Sequence, residues 1–353
     1  MKIVFISAGL GGGGAERVVS QLASEMAERG HTVTVIIMGS NNKTYGVSEK
    51  VQVIDCTMNL GAAGISFLRR VFLIRKKVRE LSPNVCISFN TTVNLYSALA
   101  CSYLGRKLIL SERNDPICYP AGKFSRALRT LLYKSKYKYV FQTNEAKSFF
   151  SKSIQKNGTV IFNPINSEMP DVFEGERTKR IVTAARLEPQ KNLKMAIDAF
   201  ARFNVHYPEY VFEIYGDGSL RNSLFEYVEN NGLQNKVILK GASKTLYSDI
   251  NDASAFVLSS DYEGMSNSML EAMALGIPTV STDYPSGGAR AVINNGENGF
   301  LVPVGDADAM CNALITLVQD SKLANKISKN GVALRDSLSL KAITEKWLEF
   351  IEV

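Results

Sequence analysis

Histidine is scarce in this chain, and its cysteines follow no pattern. The two histidines, His31 and His206, lie far apart and show no metal-ligand spacing. The cysteines are odd in number, form no CxxC pair, and are scattered over Cys56, Cys86, Cys101, Cys118 and Cys311. We therefore expect neither a metal centre nor a disulfide framework, but reduced and mostly buried thiols.

Long apolar runs are also absent. No stretch approaches the roughly 18–20 apolar residues that a membrane-spanning helix needs. The apolar run at residues 3–10 is followed at once by four glycines and then by Glu16 and Arg17. This order is typical of a buried strand and a turn, and not of a secretory signal. We expect a cytoplasmic protein that does not span a membrane.

Charge is divided unevenly along the chain. Residues 1–165 contain 23 Lys and Arg against 9 Asp and Glu, a net charge of +14, whereas residues 166–353 contain 18 against 25, a net charge of −7. Such a split indicates two domains with different partners. The positive half could face nucleic acid, an anionic membrane surface or a phosphate-bearing acceptor.

Short buried-strand patterns alternate with helical ones, and the alternation starts twice. The first series begins with strands at residues 2–8 and 32–38, and the second with a strand at residues 180–185, after a polar linker. A length of 353 residues suits two α/β domains, each with a parallel, doubly wound sheet. We predict Rossmann-like domains at residues 1–165 and 166–335 with a ligand cleft between them, and a helix at 336–353 that packs back toward the first domain.

A glycine-rich turn at residues 11–14 opens the first helix. Glycines let the backbone approach a phosphate, and a helix N-terminus offers free N–H donors. Dinucleotide binding is one alternative, but it requires an acidic residue after the second strand, where the sequence reads Ile37-Met38-Gly39-Ser40. A purely structural tight turn is the other alternative.

Two later segments carry charges where a strand meets a helix. Arg186 and Lys191 lie five residues apart after a strand, and a guanidinium with an ammonium suits a diphosphate, although solvated surface charge has the same appearance. Glu263 lies in a loop and Glu271 lies two turns into the helix that follows. The start of that helix would direct free N–H groups toward a ligand, and Glu271 could accept ribose hydroxyls. An ordinary acidic helix surface is the alternative.

The order of these motifs resembles retaining glycosyltransferases of family 4, which have the GT-B fold. The resemblance rests on Gly-Gly-Ala-Glu-Arg near the start, Arg186 with Lys191, Gly216-Asp217-Gly218, and Glu263 with Glu271, and it extends over nearly the whole chain. Residues 276–280 and 296–302 also fit that family. The fold expected from it is α/β, with two Rossmann-like domains facing each other across a deep cleft.

The resemblance implies a role for each motif. Arg186 and Lys191 would neutralise the donor diphosphate, so that no metal is needed, and Glu263 would lie near the donor sugar. The donor would also contact Gly13, Gly14, Gly216, Gly264, Met265, Ser266, Asn267 and Glu271. Transfer with retention, in which the leaving phosphate helps to deprotonate the acceptor, requires no protein base. The scarcity of histidine is therefore compatible with catalysis.

One position departs from the family. Many relatives carry a histidine near the donor sugar where this chain has Arg113. Arg113 or its neighbours could contact sugar instead, although a salt-bridged loop is the simpler interpretation. Possible sugar or acceptor contacts are Arg17, Asn90, Glu112, Arg113, Asn114 and Asn144.

Two helical segments in the first domain combine cations with bulky apolar residues. They predict contact with an anionic membrane surface, which would bring the enzyme to a lipid-linked acceptor; core-packing helices with a solvated basic face are the alternative. The cations concerned are Arg69, Arg70, Arg75, Lys76, Lys77, Arg126 and Arg129. Nucleic acid is not expected as a partner, because no recognition motif is present.

The sequence thus predicts transfer of a hexose or N-acetylhexosamine from a UDP-sugar to a glycan acceptor. We expect the acceptor to be linked to polyprenyl diphosphate, as in surface polysaccharide assembly. Two alternatives are a GT-B-fold sugar-nucleotide epimerase, for which acid and base residues are lacking, and a non-catalytic module that binds nucleotide sugar or membrane.

Overall fold

The computed structural model describes residues 1–39, 45–57 and 63–353. The chain divides into two compact units, which are treated separately. Unit 1 contains Met1–Pro164 with Leu340–Val353, and unit 2 contains Ile165–Ser339. Ser40, the last residue of the segment examined for an acidic side chain after the second strand, lies outside the described residues.

Unit 1 is built on a parallel sheet with the strand order β3-β2-β1-β4-β5-β6-β7. Its described strands are β1 Lys2–Ser7, β2 Thr32–Ile37, β3 Gln52–Asp55, β4 Val85–Phe89, β5 Lys107–Ser111, β6 Lys138–Phe141 and β7 Gly158–Val160. Its helices up to residue 164 are α1 Gly14–Glu28, α2 Ala63–Leu81, α3 Thr91–Ala100, α4 Lys123–Leu132, α5 Asn144–Ser148 and α6 Lys152–Lys156. Strand β1 lies between β2 and β4, so the chain changes direction across the sheet at the β1–β4 pair.

Unit 2 repeats this arrangement with the strand order β10-β9-β8-β11-β12-β13. Its strands are β8 Thr178–Ala184, β9 Val211–Tyr215, β10 Val237–Gly241, β11 Ala253–Leu258, β12 Thr279–Thr282 and β13 Phe300–Val302. Its helices are α7 Leu193–His206, α8 Arg221–Asn230, α9 Leu246–Ile250, α10 Asn267–Ala274, α11 Ala307–Gln319, α12 Ser321–Val332 and α13 Leu334–Ser337. The change of direction falls at the β8–β11 pair.

Burial explains why these strands are almost continuously apolar. Both faces of a parallel sheet are covered by helices, so successive side chains on either face must be apolar. Strands β1 and β2 follow this rule, since each has one exposed residue followed by five buried ones. The carboxyl ends of all parallel strands meet at one edge of each sheet, where ligands bind in such folds.

The last helix, α14 (Leu340–Glu352), belongs to unit 1 and begins at Leu340, not at the predicted residue 336. Its buried side chains Ile343, Trp347 and Ile351 recur every four residues and form one face. Trp347 is fully buried and stacks on Phe89 of β4 with 5.5 Å between ring centroids. This apolar face and the ring stacking fasten α14 to unit 1.

No helix in the described ranges has both the length and the apolar character that crossing a membrane requires.

Candidate active site

The predicted diphosphate-binding residues lie at the point in unit 2 where the sheet changes direction. Strands β8 and β11 are parallel neighbours, with Ile181 opposite Ala255 and Val182 opposite Phe256. The loop after β8 carries Arg186 and Lys191, and the loop after β11 carries Glu263. Because both loops leave the same edge of the sheet, Lys191 and Glu263 meet there although they are 72 residues apart, and Arg186 lies on the same loop as Lys191.

Lys191 and Glu263 form an ion pair. The Lys191 Nζ donates to Glu263 Oε1, and the two side chains are only 12% and 10% exposed. Glu263 accepts two further hydrogen bonds, from Gln190 Nε2 at 3.1 Å and from Ser260 Oγ at 3.0 Å. A carboxylate held by one cation and two neutral donors has a fixed orientation, and so does the ammonium bound to it.

Further hydrogen bonds join the two loops. The Asp261 N–H donates to the Gln190 carbonyl at 2.9 Å, and Ser259 Oγ donates to the Lys191 carbonyl at 2.7 Å. Asn192 adopts a left-handed conformation, with φ 42°, and its amide donates to Asp261 Oδ1 at 2.7 Å. The position of Lys191 is therefore set by the backbone on both sides of it.

Glycines after β9 pack closely against the backbone of the loop that carries Arg186. A Cβ on Gly216 would lie 1.9 Å from the Ala185 carbonyl oxygen, and Gly216 has φ +126°, which favours glycine. A Cβ on Gly218 would lie 2.6 Å from the Leu187 carbonyl oxygen. Gly216, predicted to contact the donor, thus has a packing role in the structure.

Arg186 itself is exposed. The Ser219 hydroxyl that donates to Glu188, together with the nearby Arg186 charge, lowers the pKa of the Glu188 carboxyl. The guanidinium is thus at the surface of the loop, where a dissolved anion can reach it.

The loop at residues 263–266 rests on a turn that the sequence analysis missed. The Ser286 hydroxyl donates to the Glu263 carbonyl oxygen, and a Cβ on Gly288 would lie 2.0 Å from the Gly264 carbonyl oxygen. The buried Tyr284 ring also packs within 3.0 Å of that Gly288 Cβ position. The signal available in the sequence was the pair of glycines that follows strand β12.

Helix α10 begins directly after this loop. Ser266 caps it by accepting from the Met269 N–H at 3.5 Å, and Asn267 is its first residue. Met265, Ser266 and Glu271 are buried. The structure thus places Gly264, Met265, Ser266, Asn267 and Glu271 on one loop and helix that begin beside the Lys191–Glu263 pair.

In unit 1, the glycine-rich turn precedes α1 as predicted. Gly13 is the N-cap residue of α1, and a Cβ there would lie 2.3 Å from Glu16 Oε2, so the Glu16 carboxylate folds back over the helix start. Gly14 and Arg17 lie in the first turn. The glutamate three residues into the helix thus turns back toward the N-cap, as the glutamate of a capping box does, although the N-cap glycine has no side chain to reciprocate.

Glu112 lies inside unit 1, where its carboxylate is only 1% exposed. It accepts hydrogen bonds from Thr91 Oγ1 at 2.7 Å, from Asn94 Nδ2 at 3.2 Å and from the Tyr133 hydroxyl. Burial, with the Glu112 charge next, raises the pKa of Tyr133, so its hydroxyl keeps the proton that it donates. In this structure Glu112, directly after β5, joins α3 to the residue that follows α4 and is enclosed by these contacts.

Arg113 is also buried. Its guanidinium donates to Ser111 Oγ at 2.6 Å and to Asn163 Oδ1 at 2.9 Å, and lies over the rings of Phe89 and Trp347. Burial lowers the pKa of Arg113 to about 9, against the opposing effect of the Glu112 charge. The ring contacts connect Arg113 to α14, so Arg113 has a structural role here.

The three asparagines predicted to contact sugar occupy different settings. Asn144, the first residue of α5, is exposed, whereas Asn114 and Asn90 are half-buried. The Asn90 N–H donates to the Ser111 carbonyl at 3.2 Å. Asn90 therefore lies beside the start of the Glu112–Arg113 segment, at the carboxyl end of β4.

The predicted basic surface is only partly exposed. Arg129 is 4% exposed and donates to the carbonyls of Tyr119 and Pro116 at 2.8 and 2.9 Å. The prediction that Arg129 faces a membrane is therefore wrong, because its charge is used to hold the segment before α4.

The other cations of that surface differ in their contacts. Arg70 and Arg75 are half-buried and donate to backbone carbonyls, those of Met38 and of Ala100 and Ser102. Lys76 and Lys77 pair with Glu80 on the same helix. Arg69 and Arg126 are exposed.

Comparisons with known proteins agree with the fold. The family model for "Glycosyltransferase Family 4" matches residues 12–168, and the model for "Glycosyl transferases group 1" matches residues 165–333. The two matches together account for both units.

Two similar proteins come from Campylobacter jejuni. One is "GalNAc-alpha-(1->4)-GalNAc-alpha-(1->3)-diNAcBac-PP-undecaprenol alpha-1,4-N-acetyl-D-galactosaminyltransferase", which is 27% identical over 99% of this chain and 98% of its own length. The other is "N-acetylgalactosamine-N,N'-diacetylbacillosaminyl-diphospho-undecaprenol 4-alpha-N-acetylgalactosaminyltransferase", which is 28% identical over 92% of each chain.

Among solved structures, Anabaena HepE in complex with UDP superposes with a TM-score of 0.83 over the full length of both chains, at 18% identity. This likeness shows that the fold is shared. The chain therefore belongs to glycosyltransferase family 4 and is a glycosyltransferase with the GT-B fold.

Proposed function

We propose that this enzyme transfers a hexose or N-acetylhexosamine from a UDP-sugar, with retention, to a glycan carried on polyprenyl diphosphate. The observation that carries the proposal is the Lys191–Glu263 pair at the carboxyl ends of β8 and β11, with exposed Arg186 on the same loop as Lys191. Two relatives of similar length are named for N-acetylgalactosamine transfer to undecaprenyl-linked glycans, which supports this acceptor class. Assembly of a surface polysaccharide or a related glycan is the corresponding role.

The cations would act on the leaving group. When the bond between the sugar C1 and the phosphate oxygen breaks, negative charge accumulates on the UDP diphosphate. Lys191 and Arg186 provide an ammonium and a guanidinium for that charge, and the N-terminus of α10 adds a positive dipole end. We propose that these groups suffice without a metal ion.

Glu263 and Glu271 would hold the rest of the donor. Glu263 has its carboxylate fixed by three donors, so it can orient Lys191 and accept hydrogen bonds from donor-sugar hydroxyls. Glu271 on α10 would accept hydrogen bonds from the ribose. The acceptor oxygen then bonds to C1 on the face that UDP leaves, and its proton passes to a phosphate oxygen of UDP.

The test is thermal stabilisation of the purified protein by UDP-, GDP- and ADP-sugars in the presence of EDTA. Ligand at 100 times its Kd adds about 2.7 kcal/mol to the free energy of unfolding. We expect one UDP-sugar to stabilise the wild type but neither Lys191→Ala nor Glu271→Ala. Lys194→Ala is the matched control, because Lys194 is an exposed lysine on the neighbouring helix α7.

Two results would contradict the proposal. Equal stabilisation of the wild type and of Lys191→Ala would show that the nucleotide binds elsewhere. Conversion of the UDP-sugar to its epimer without any acceptor would favour the epimerase alternative.

We propose in addition that unit 1 binds an anionic membrane from the cytoplasmic side. Helix α4 exposes Phe124 to 80% and Leu131 to 61%, next to the exposed cations Lys123 and Arg126. Apolar side chains that enter the headgroup region beside cations that attract acidic lipids are typical of surface-bound helices. Arg69 and Lys76 on α2 would add to the attraction.

Flotation with vesicles tests this part. Phosphatidylglycerol vesicles should carry the wild type, and phosphatidylcholine vesicles should not. The double variant Phe124→Ser/Leu131→Ser should bind at least about tenfold more weakly, whereas Phe225→Ser, at an exposed phenylalanine of unit 2, should bind like the wild type. Unchanged flotation of the double variant would rule out α4 as the contact.

A further inference from the structure

Asn90 has an unusual backbone conformation for a non-glycine residue. It lies directly after β4 with φ 74° and ψ 142°, close to a region that glycine alone occupies readily. Holding an L-residue there costs on the order of 1–3 kcal/mol. Asparagine at the N-cap of a helix usually accepts from the first turn, but the Asn90 side chain forms no capping bond with α3. Helix stability therefore does not explain the residue.

The surroundings hold this conformation from both sides. The Asn90 N–H donates to the Ser111 carbonyl at 3.2 Å, and the Asn90 carbonyl accepts from the Asn94 N–H at 2.8 Å. The next residue, Thr91, is bound to Glu112, and the Asn94 amide donates to the Ser111 carbonyl at 3.0 Å. Strain of this kind persists only where neighbouring contacts over-determine the backbone, as they do here.

Asn90 lies at a place in the sheet where a ligand could bind. Asn90 ends β4, one of the two strands between which the sheet of unit 1 changes direction, and ligands bind at that point in parallel sheets. Its side chain is half-buried, and its amide offers both a donor and an acceptor. A sugar hydroxyl, which also donates and accepts, is the natural complement of such a group.

We propose that the Asn90 amide binds a hydroxyl of the glycan acceptor, and that the strained backbone holds it in position to do so. Buried Glu112 acts as a positioning residue for this contact, through Thr91 and Asn94. The inference rests on the proposed function, since it names the contact that unit 1 makes with the acceptor.

A glycine at position 90 tests the backbone strain and the amide contact by two different measurements, Tm and the KM for the acceptor. Asn90→Gly relieves the backbone and removes the amide, so we expect its Tm to rise by about 2–4 °C. With UDP-N-acetylgalactosamine and an N-acetylgalactosamine-terminated undecaprenyl diphosphate glycan, UDP release should show an acceptor KM raised about tenfold, and the donor KM unchanged. Asn90→Asp, which tolerates the same backbone but cannot donate, should lose acceptor affinity without the rise in Tm.

Ser82 provides the matched control. It is another non-glycine residue with positive φ, 45°, and it lies after α2 at the opposite end of β4. Ser82→Gly should raise Tm without changing either KM. We thus expect glycine at either position to raise Tm. Only glycine at position 90 should also raise the KM for the acceptor.

Four outcomes would overturn the inference. An Asn90→Gly variant with lower Tm would show that the backbone is not strained. A variant with unchanged KM for the acceptor would show that the amide has no role, and a raised donor KM would assign it to the donor. A wild type that releases no UDP with this pair, and that no UDP-sugar stabilises, would defeat the proposed function itself and the inference with it.

Discussion

The Lys191–Glu263 ion pair should contribute measurably to the stability of unit 2 even without a ligand. Lys191→Ala leaves a carboxylate whose side chain is only 10% exposed without its cation. Removing one partner of a buried pair costs about 3–5 kcal/mol, but Glu263 keeps the donors Gln190 and Ser260. We therefore expect a smaller loss, about 2–3 kcal/mol, in the free energy of unfolding.

Calorimetry and a double-mutant cycle give the assay. A loss of that size should lower the Tm of the unit 2 transition by roughly 5–10 °C. Because the two residues contact each other, Lys191→Ala combined with Glu263→Gln should cost less than the sum of the single changes, with a coupling energy of about 1–3 kcal/mol. The exposed control Lys194→Ala should lower the free energy of unfolding by less than about 1 kcal/mol.

Lys191→Ala should also reduce catalysis, independently of its effect on stability. Without the ammonium, charge on the leaving diphosphate is less well stabilised, and kcat should fall about 10²–10³-fold. The stability cycle can refute this reasoning. If the two single-variant losses in unfolding free energy sum to the double-variant loss within about 0.5 kcal/mol, the sites are independent and the ion pair contributes nothing.

Three further predictions concern packing. Gly288→Ala places a Cβ 2.0 Å from the Gly264 carbonyl oxygen, so it should displace the active-site loop and reduce kcat about 10²-fold, measured as UDP release; normal turnover would contradict this. Arg129→Ala should destabilise the protein by about 2–3 kcal/mol in urea unfolding, whereas Arg126→Ala at an exposed position should change it by less than about 1 kcal/mol; equal effects would show that burial of Arg129 is unimportant. Trp347→Ala should remove about 3–5 kcal/mol from the free energy of unfolding followed by circular dichroism, and a loss below about 1 kcal/mol would show that α14 is loosely held.

The alternation of elements could be predicted from the sequence because it depends on local patterns. The second strand was predicted at residues 32–38 and is Thr32–Ile37, and the strand predicted at 180–185 is Thr178–Ala184. Strands β7 and β13 were not predicted, since three residues with half-buried positions carry too little periodicity. The order of the strands could not be derived either, because it is set by non-local pairing.

The charged residues near strand ends show more clearly what could not be predicted from the sequence. Arg186 and Lys191 were predicted in a site, and the structure adds that Lys191 is already paired with Glu263. Glu112 and Arg113 have the same local appearance, a charged pair in a loop after a strand, yet both are buried. The partners that bury them, such as Tyr133, Asn163 and Trp347, come from distant positions. Local sequence therefore cannot separate a substrate contact from a structural charge.

These buried charges also explain how unit 1 can carry so much positive charge. Several of its cations are satisfied by backbone carbonyls and not by carboxylates: Arg75 donates to Ala100 and Ser102, and Arg129 to Tyr119 and Pro116. On the side of α14, the ammonium groups of Lys107 and Lys138 donate to the carbonyls of Ile351 and Phe350. A carbonyl satisfies the hydrogen bonds of a cation but leaves its charge uncompensated, whereas a carboxylate would cancel it. The excess of cations therefore persists as a positive field around unit 1, and such a field would attract the phosphates of the proposed acceptor without any single residue dedicated to that purpose.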